Sequence, residues 1–190
     1  MHSDYSPGTT SHRPTIAISR CLLGDRVRYD GKIKNDPQLI DFVKQHFEII
    51  CICPEVEIGL SVPRPAVQLS AEPGAVPGTE LANIKITGRD DPTLDISTPM
   101  YEYCNRRAAQ LDSIHGYIFK SKSPSCGIRN IPVFNNRNEI ITTTKGVFAK
   151  TIMREYPQLP IIDELGLLSG EQREAFLLRV KQYHTCLKNT

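Results

Sequence analysis

The chain has 190 residues, of which 39% are hydrophobic and 23% charged, and its net charge is +2. That length supports one domain with a sizeable core. The near-neutral balance gives no field for broad nucleic-acid binding, and no apolar run reaches the length of a membrane span.

Residues 1–13 are polar and rich in Ser, Thr, Pro and Gly, without the apolar middle of a signal peptide. They read as a flexible tail ahead of a single domain over residues 14–190, in the cytoplasm. Thr15-Ile-Ala-Ile-Ser19 is an apolar run of the buried, parallel-strand kind. It leads through Arg20 into a loop, Cys21 to Gly31, that holds Gly24, Gly31, Arg26 and Arg28. Asp36-Pro37 starts a helix, with Asp as cap and Pro at the first helical position, and Leu39, Ile40 and Val43 mark its apolar stripe. Phe47 to Ile52 is a second buried strand, which completes a strand–helix–strand unit.

From Cys53 to Pro65 proline punctuates the chain and prevents long regular structure. Residues 66–80 read as an irregular surface excursion or short hairpin, and Ile84 to Thr87 as a short alternating strand. A helix starts at Thr98-Pro99, with Met100, Cys104, Ala108 and Leu111 on one face. Gly116 to Phe119 is the next strand and ends in Ser123-Pro-Ser-Cys-Gly127. Residues 131–144 read as a loop or β-excursion turning at Asn135-Asn136. Residues 146–155 are helical, Leu159 to Ile162 is a last strand, and a closing helix from Glu171 carries Phe176, Leu177, Val180, Tyr183 and His184 on one side. Strands alternating with helices predict an α/β domain, a Rossmann-like three-layer arrangement with a mainly parallel sheet.

Structural disulfides are rare in the cytoplasm, so the six cysteines need another account. They contain no Cys-x-x-Cys pair. Cys104 lies on an apolar helix face, Cys51 fits a buried strand position, and Cys186 falls in a fraying tail. Cys21, Cys53 and Cys126 differ: each follows the carboxyl end of a strand, beside Gly or Pro. In open α/β sheets that is where ligands bind. No histidine shares these segments, as a nucleophilic cysteine would want; His115 falls at the other end of the sheet, and it and His46 read as structural or solvated. Three thiolates without histidine suit a soft metal centre. Structural zinc wants a fourth ligand, whereas an iron–sulfur cluster on three thiolates keeps one iron free of protein ligands. A catalytic metal centre and a non-catalytic iron–sulfur or zinc-binding sensor or structural domain both fit this pattern. A dinucleotide site does not, since no Gly-x-Gly-x-x-Gly follows the first strand.

Three segments, Cys21-Leu-Leu-Gly with Val27-Arg-Tyr-Asp-Gly31, Cys53-Pro-Glu-Val56 with Gly59-Leu60 and Pro63-Arg64, and Ser123-Pro-Ser-Cys-Gly127, together resemble the thiouracil desulfidase family, formerly a domain of unknown function. The resemblance spans most of residues 14–165. It implies a 4Fe-4S cluster with Cys21, Cys53 and Cys126 as protein ligands, and removal of sulfur from a thiolated uracil or uridine without net redox change. It places the catalytic glutamate on Glu55 and the catalytic serine on Ser123, with Ser125 as the rival. Lys85 to Asp90, Asp95 to Met100 and Pro157 to Gly166 look like the branch linked to 4-thiouridine in tRNA, in which a second C-terminal domain follows. Free base, nucleotide and tRNA all remain open as substrates. Arg26, Arg28 and Arg64 flank the strand ends and suit a substrate phosphate, and Tyr29 suits stacking on a pyrimidine.

Overall fold

The computed structural model describes residues 13–33, 36–72 and 83–188. The expected tail therefore falls almost wholly outside the described residues. Four strands, β1 (Thr15–Ser19), β2 (Glu48–Ile52), β5 (Gly116–Phe119) and β8 (Ile161–Asp163), form a sheet in the order β2-β1-β5-β8. Every pairing in it is parallel. The chain leaves β1 to one side for β2 and later returns to the other side for β5, so strand order switches at β1.

Alternation along β1 decides what covers each face. Ile16 and Ile18 point to a core with Ile118, with Leu39 and Val43 of α1 (Pro37–His46), and with Phe176 and Val180 of α5 (Gly170–Lys188). Ala17, with Tyr117 and Phe119, points to the opposite core. That core contains Met100 and Cys104 of α3 (Ser97–Ala108) and Phe148 and Ile152 of α4 (Val147–Glu155). Helices thus cover both faces, as the predicted three-layer α/β class requires.

A second sheet contains the expected strand from Ile84 and the strands of the 131–144 excursion, and departs from expectation in the segment before them. β3 (Val67–Ala71), β4 (Ile84–Gly88), β6 (Ile131–Phe134) and β7 (Ile140–Thr144) pair in the order β4-β3-β6-β7. The β3–β4 and β6–β7 pairs are antiparallel hairpins, and β3 joins β6 in parallel. Val67 and Leu69 lie in the core with Ile86 and Val133, so the segment expected at the surface is a half-buried hairpin strand. Its Val-Gln-Leu-Ser alternation is the period-2 signal of such a strand. Residues 73–80 of that expected excursion lie outside the described residues.

Two cysteines also differ from expectation. Cys51 is exposed, near the carboxyl end of β2, an edge strand of the sheet. Cys186 sits within α5 rather than beyond it. Cys104 is fully buried as expected. Among the described residues no helix is long and apolar enough to cross a membrane.

The Asp36 cap is present: its carboxylate accepts from the amides of Gln38 (3.0 Å) and Leu39 (3.3 Å), with Pro37 at the first helical position. Asp36→Ala is expected to cost about 1 kcal/mol of stability, read as a shift of the urea midpoint at unchanged slope.

Candidate active site

The strand register carries Cys21, Cys53 and Cys126 to the same edge of the parallel sheet. β1 ends at Ser19 and runs through the short turn Arg20–Leu22, which contains Cys21. β2 ends at Ile52, and Cys53 caps the one-turn helix α2 (Pro54–Glu57). β5 ends at Phe119, and the loop after it turns back to bring in Cys126. All three cysteines line one cavity of about 140 Å³.

The loop that holds Cys126 is built by its own serines. Ser123 Oγ accepts from the amides of Ser125 (3.2 Å) and Cys126 (3.1 Å), and the Gly127 amide donates to the Ser123 carbonyl (2.8 Å). α4 begins against this loop: the amides of Val147 and Phe148 donate to the carbonyls of Pro124 (3.0 Å) and Ser125 (2.9 Å). Gly146 sits where the two backbones meet. A Cβ there would lie 2.7 Å from the Ser125 carbonyl carbon and oxygen and 2.8 Å from the Cys126 amide nitrogen. These are backbone atoms that cannot rotate away. Gly146→Ala is therefore expected to destabilise the fold by about 1–3 kcal/mol through overpacking, with an unchanged unfolding midpoint counting against this close approach.

Glu55 is held from two sides. Arg64 donates through Nε (2.9 Å) and Nη2 (2.7 Å) to Glu55 Oε2, and Ser125 Oγ donates to Glu55 Oε1 (3.0 Å). The Arg64 and Glu55 side chains are only 5% and 13% exposed, so this is an ion pair shielded from water. Ser125 is buried, while Ser123 is half-buried and lines the cavity. The Ser123 oxygen accepts two amides, which leaves its hydroxyl hydrogen free to donate into the cavity.

The remaining predicted residues divide. Tyr29 lines the cavity at its rim and is 41% exposed. Arg28 also lines it, paired with Asp30 at 3.1 Å and with its guanidinium 5.7 Å from the Tyr29 ring centroid. The Arg64 amide donates to the Tyr29 carbonyl (2.9 Å), which ties the two loops together. Arg26 is exposed and is not among the residues that line the cavity. His115 lies at the other end of β5, where its Nδ1 accepts from the Thr15 amide (3.0 Å).

Sequence reasoning missed a second ion pair at the site. Lys120 donates to Glu164 and to the carbonyl of Ser121, and Glu164 accepts from the Ser121 amide (2.7 Å) and hydroxyl (2.6 Å). Lys120 follows β5 and Glu164 follows β8, so the strand-end rule that picked out the cysteines applies to both. Arg89 and Lys122 line the cavity as well. Behind Cys53, Glu57 Oε1 accepts its amide (3.0 Å) while Oε2 accepts from the Tyr103 hydroxyl (2.9 Å).

The thiols feel one another. Burial, then the Cys53 charge, pushes the Cys21 thiol up to about 11. Burial raises Cys53, and it raises Cys126 well above the ordinary thiol range with Cys21 and Cys53 adding to it. Three thiolates together are therefore unfavourable unless a cation compensates them. The donor set is all sulfur and suits a soft metal. Among the described residues no group of three or more His, Cys, Asp or Glu side chains is arranged to hold a single metal ion. A cluster makes a different demand, because its cysteines bind separate irons and need not converge on one point. The cysteines present fit that demand in ligand type, in number and in sharing one cavity.

Among known proteins, the solved structure titled "[4Fe-4S]-dependent thiouracil desulfidase TudS" superposes with a TM-score of 0.61 at 24% identity, covering 87% of this chain and 99% of that one. That likeness establishes a shared fold. None of the curated proteins matches. The family model described as 2-thiouracil desulfurase matches residues 16–164, which takes in all three cysteine loops and extends to Glu164 at the end of β8. By that match the chain belongs to the 2-thiouracil desulfurase family.

Proposed function

We propose that the protein is an iron–sulfur-dependent desulfidase that exchanges the sulfur of a thiolated uracil or uridine for oxygen. The C–S bond of the thiocarbonyl breaks and a C–O bond forms from water. Both water protons leave with the sulfur as hydrogen sulfide, or as hydrosulfide and a proton, and no electron is transferred. The observation that carries this reading is the meeting of Cys21, Cys53 and Cys126 in one cavity with Glu55 beside them. The family membership and the printed name of the solved relative support it.

Cys21, Cys53 and Cys126 would hold a 4Fe-4S cluster. Bound there, the cluster supplies a Lewis-acidic iron with affinity for the substrate's sulfur. Glu55 accepts a proton from the water that replaces the sulfur. Arg64 and Ser125 fix that carboxylate, so it meets the water without reorganising. Ser123 donates its free hydroxyl hydrogen to the pyrimidine and orients it. In this arrangement Ser123 touches substrate and Ser125 is a positioning residue for Glu55.

The deciding experiment is anaerobic reconstitution followed by assay on 2-thiouracil, 4-thiouridine, its 5′-monophosphate and thiolated tRNA side by side. The expected result is one sulfide released per oxo product. An iron–sulfur centre that removes sulfur from none of them identifies a sensor, and zinc as the bound metal identifies a structural domain. Activity on tRNA alone places the chain with the 4-thiouridine branch, where a second domain would contribute to tRNA binding.

A further inference from the structure

Tyr117 is fully buried, and its hydroxyl has no hydrogen-bond partner among the described residues. A buried hydroxyl left unpaired costs stability, so it calls for a physical reason. The ring cannot turn away to find a partner. It stacks on Phe119 with centroids 3.7 Å apart and planes 5° from parallel, and it packs edge-on against Phe148 at 6.2 Å. All three rings belong to the core that contains Cys126.

Burial, then the charges of Cys126, Tyr103 and Glu57, pushes the Tyr117 hydroxyl well above the ordinary phenol range. Of these neighbours Glu57 is occupied: one oxygen accepts the Cys53 amide and the other the Tyr103 hydroxyl, which is thereby turned to Glu57. Arg107, the next charge felt, only donates. The Cys126 sulfur is left. Ser19 meets it from the cavity side: Ser19 lines the cavity, its Oγ accepts the Lys120 amide (2.9 Å), and its hydroxyl bonds to the Cys126 side chain. Tyr117 is not among the residues that line the cavity, so it belongs to the core side of the same cysteine. A thiol is a weak acceptor, whereas a thiolate bound to iron carries charge and accepts strongly. A hydroxyl idle beside the thiol is therefore satisfied beside the ligating sulfur.

We propose that the Tyr117 hydroxyl donates a hydrogen bond to the ligating sulfur of Cys126 when the cluster is bound. The inference rests on the proposed three-cysteine cluster. Tyr117 is a positioning residue that acts through Cys126. A donor on a ligating sulfur draws charge from it, which secures the ligand and raises the reduction potential of the centre. In the metal-free protein the same hydroxyl has the opposite effect, because there it is buried without a partner.

The test compares metal-free and cluster-loaded protein. Tyr117→Phe removes only the hydroxyl. Metal-free Tyr117→Phe is expected to unfold at the same urea concentration as the wild type or a higher one, at unchanged slope. Tyr103→Phe, which removes a hydrogen bond that is made, should unfold earlier and calibrates the measurement. After anaerobic loading, Tyr117→Phe is expected to lose iron to a chelator about tenfold faster than the wild type and to be reduced at a lower potential. Its iron–thiolate stretch in resonance Raman should move to higher frequency while the bridging-sulfide bands stay in place. A metal-free Tyr117→Phe protein less stable than the wild type means that the hydroxyl already has a partner, and overturns the proposal. Wild-type iron loss and potential in the loaded variant overturn it too, and leave the desulfidase reading standing. A shift of the bridging-sulfide bands alone overturns the assignment to Cys126. None of these readouts needs a substrate. The expected effects in a protein that removes no sulfur uphold the hydrogen bond and sink the proposed reaction, whereas a wild type that binds no cluster sinks both.

Discussion

Replacing Cys21, Cys53 or Cys126 by serine, one at a time, is expected to abolish cluster loading and desulfidation together. Each thiol comes from a different strand end, so no neighbour on the same loop can take over. A serine hydroxyl is nearly the size of the thiol but is a hard, weakly acidic ligand, which iron–sulfur centres do not favour. Iron and acid-labile sulfide after anaerobic reconstitution should fall to background in all three variants. Thermal stability gives an independent readout: a ligand that binds only the folded state raises its stability, and the three variants should lose that increment. Cys51→Ala and Cys186→Ala serve as controls, because both side chains are exposed and neither lines the cavity. Full iron content in any one of the three serine variants would remove that cysteine from the ligand set.

Glu55→Gln is expected to lower kcat by about 10²–10⁴-fold, the range for loss of a general acid–base group, while iron and sulfide content stay near wild type. The glutamine amide has the shape of the carboxylate and can still accept from Ser125, but it cannot take a proton from water at neutral pH. The substitution also leaves Arg64 shielded from water without its counter-charge. Breaking a buried ion pair on one side costs about 3–5 kcal/mol, so unfolding must be measured alongside activity. Glu55→Asp keeps the charge and shortens the reach by one carbon. Partial activity there with none in glutamine separates the proton-transfer role from electrostatic support of Arg64. A glutamine variant with full activity and an intact cluster would sink the acid–base role.

Gly146 shows why the Cys126 loop is legible only in part. The motif Ser-Pro-Ser-Cys-Gly identifies the loop as special, yet nothing in it says that its carbonyls receive the first amides of α4. That contact joins residues about twenty positions apart, and the glycine that permits it is the residue before a helix, where glycine is ordinary. The same holds for the serines. Ser123 and Ser125 are equivalent as sequence, each a small hydroxyl beside Pro124. In the fold one caps a turn at the cavity wall and the other is buried against Glu55.

The second sheet was legible in pieces, the strand from Ile84 and the excursion over 131–144, but not as a sheet, for a related reason. β3 and β4 are each five residues long and are separated in sequence by a proline- and glycine-rich stretch. Short strands carry a weak periodic signal, and pairing between β3 and β6 joins residues more than sixty positions apart. The parallel strands were plain because burial on both faces makes them nearly continuous apolar runs.

The sequence by itself determined the α/β class, the strand ends that carry Cys21, Cys53 and Cys126, and the family. These follow from local patterns: apolar runs, caps and short motifs whose residues are adjacent in the chain. Only the tertiary structure decided which charges remain available. Arg28, Arg64, Arg89 and Lys122 look alike as cationic side chains near strand ends, but Asp30 and Glu55 neutralise the first two and leave the others at the cavity mouth. Electrostatic availability depends on what stands within a few ångströms, and for Arg64 and Arg89 that neighbourhood is set by strand order and loop packing across the domain.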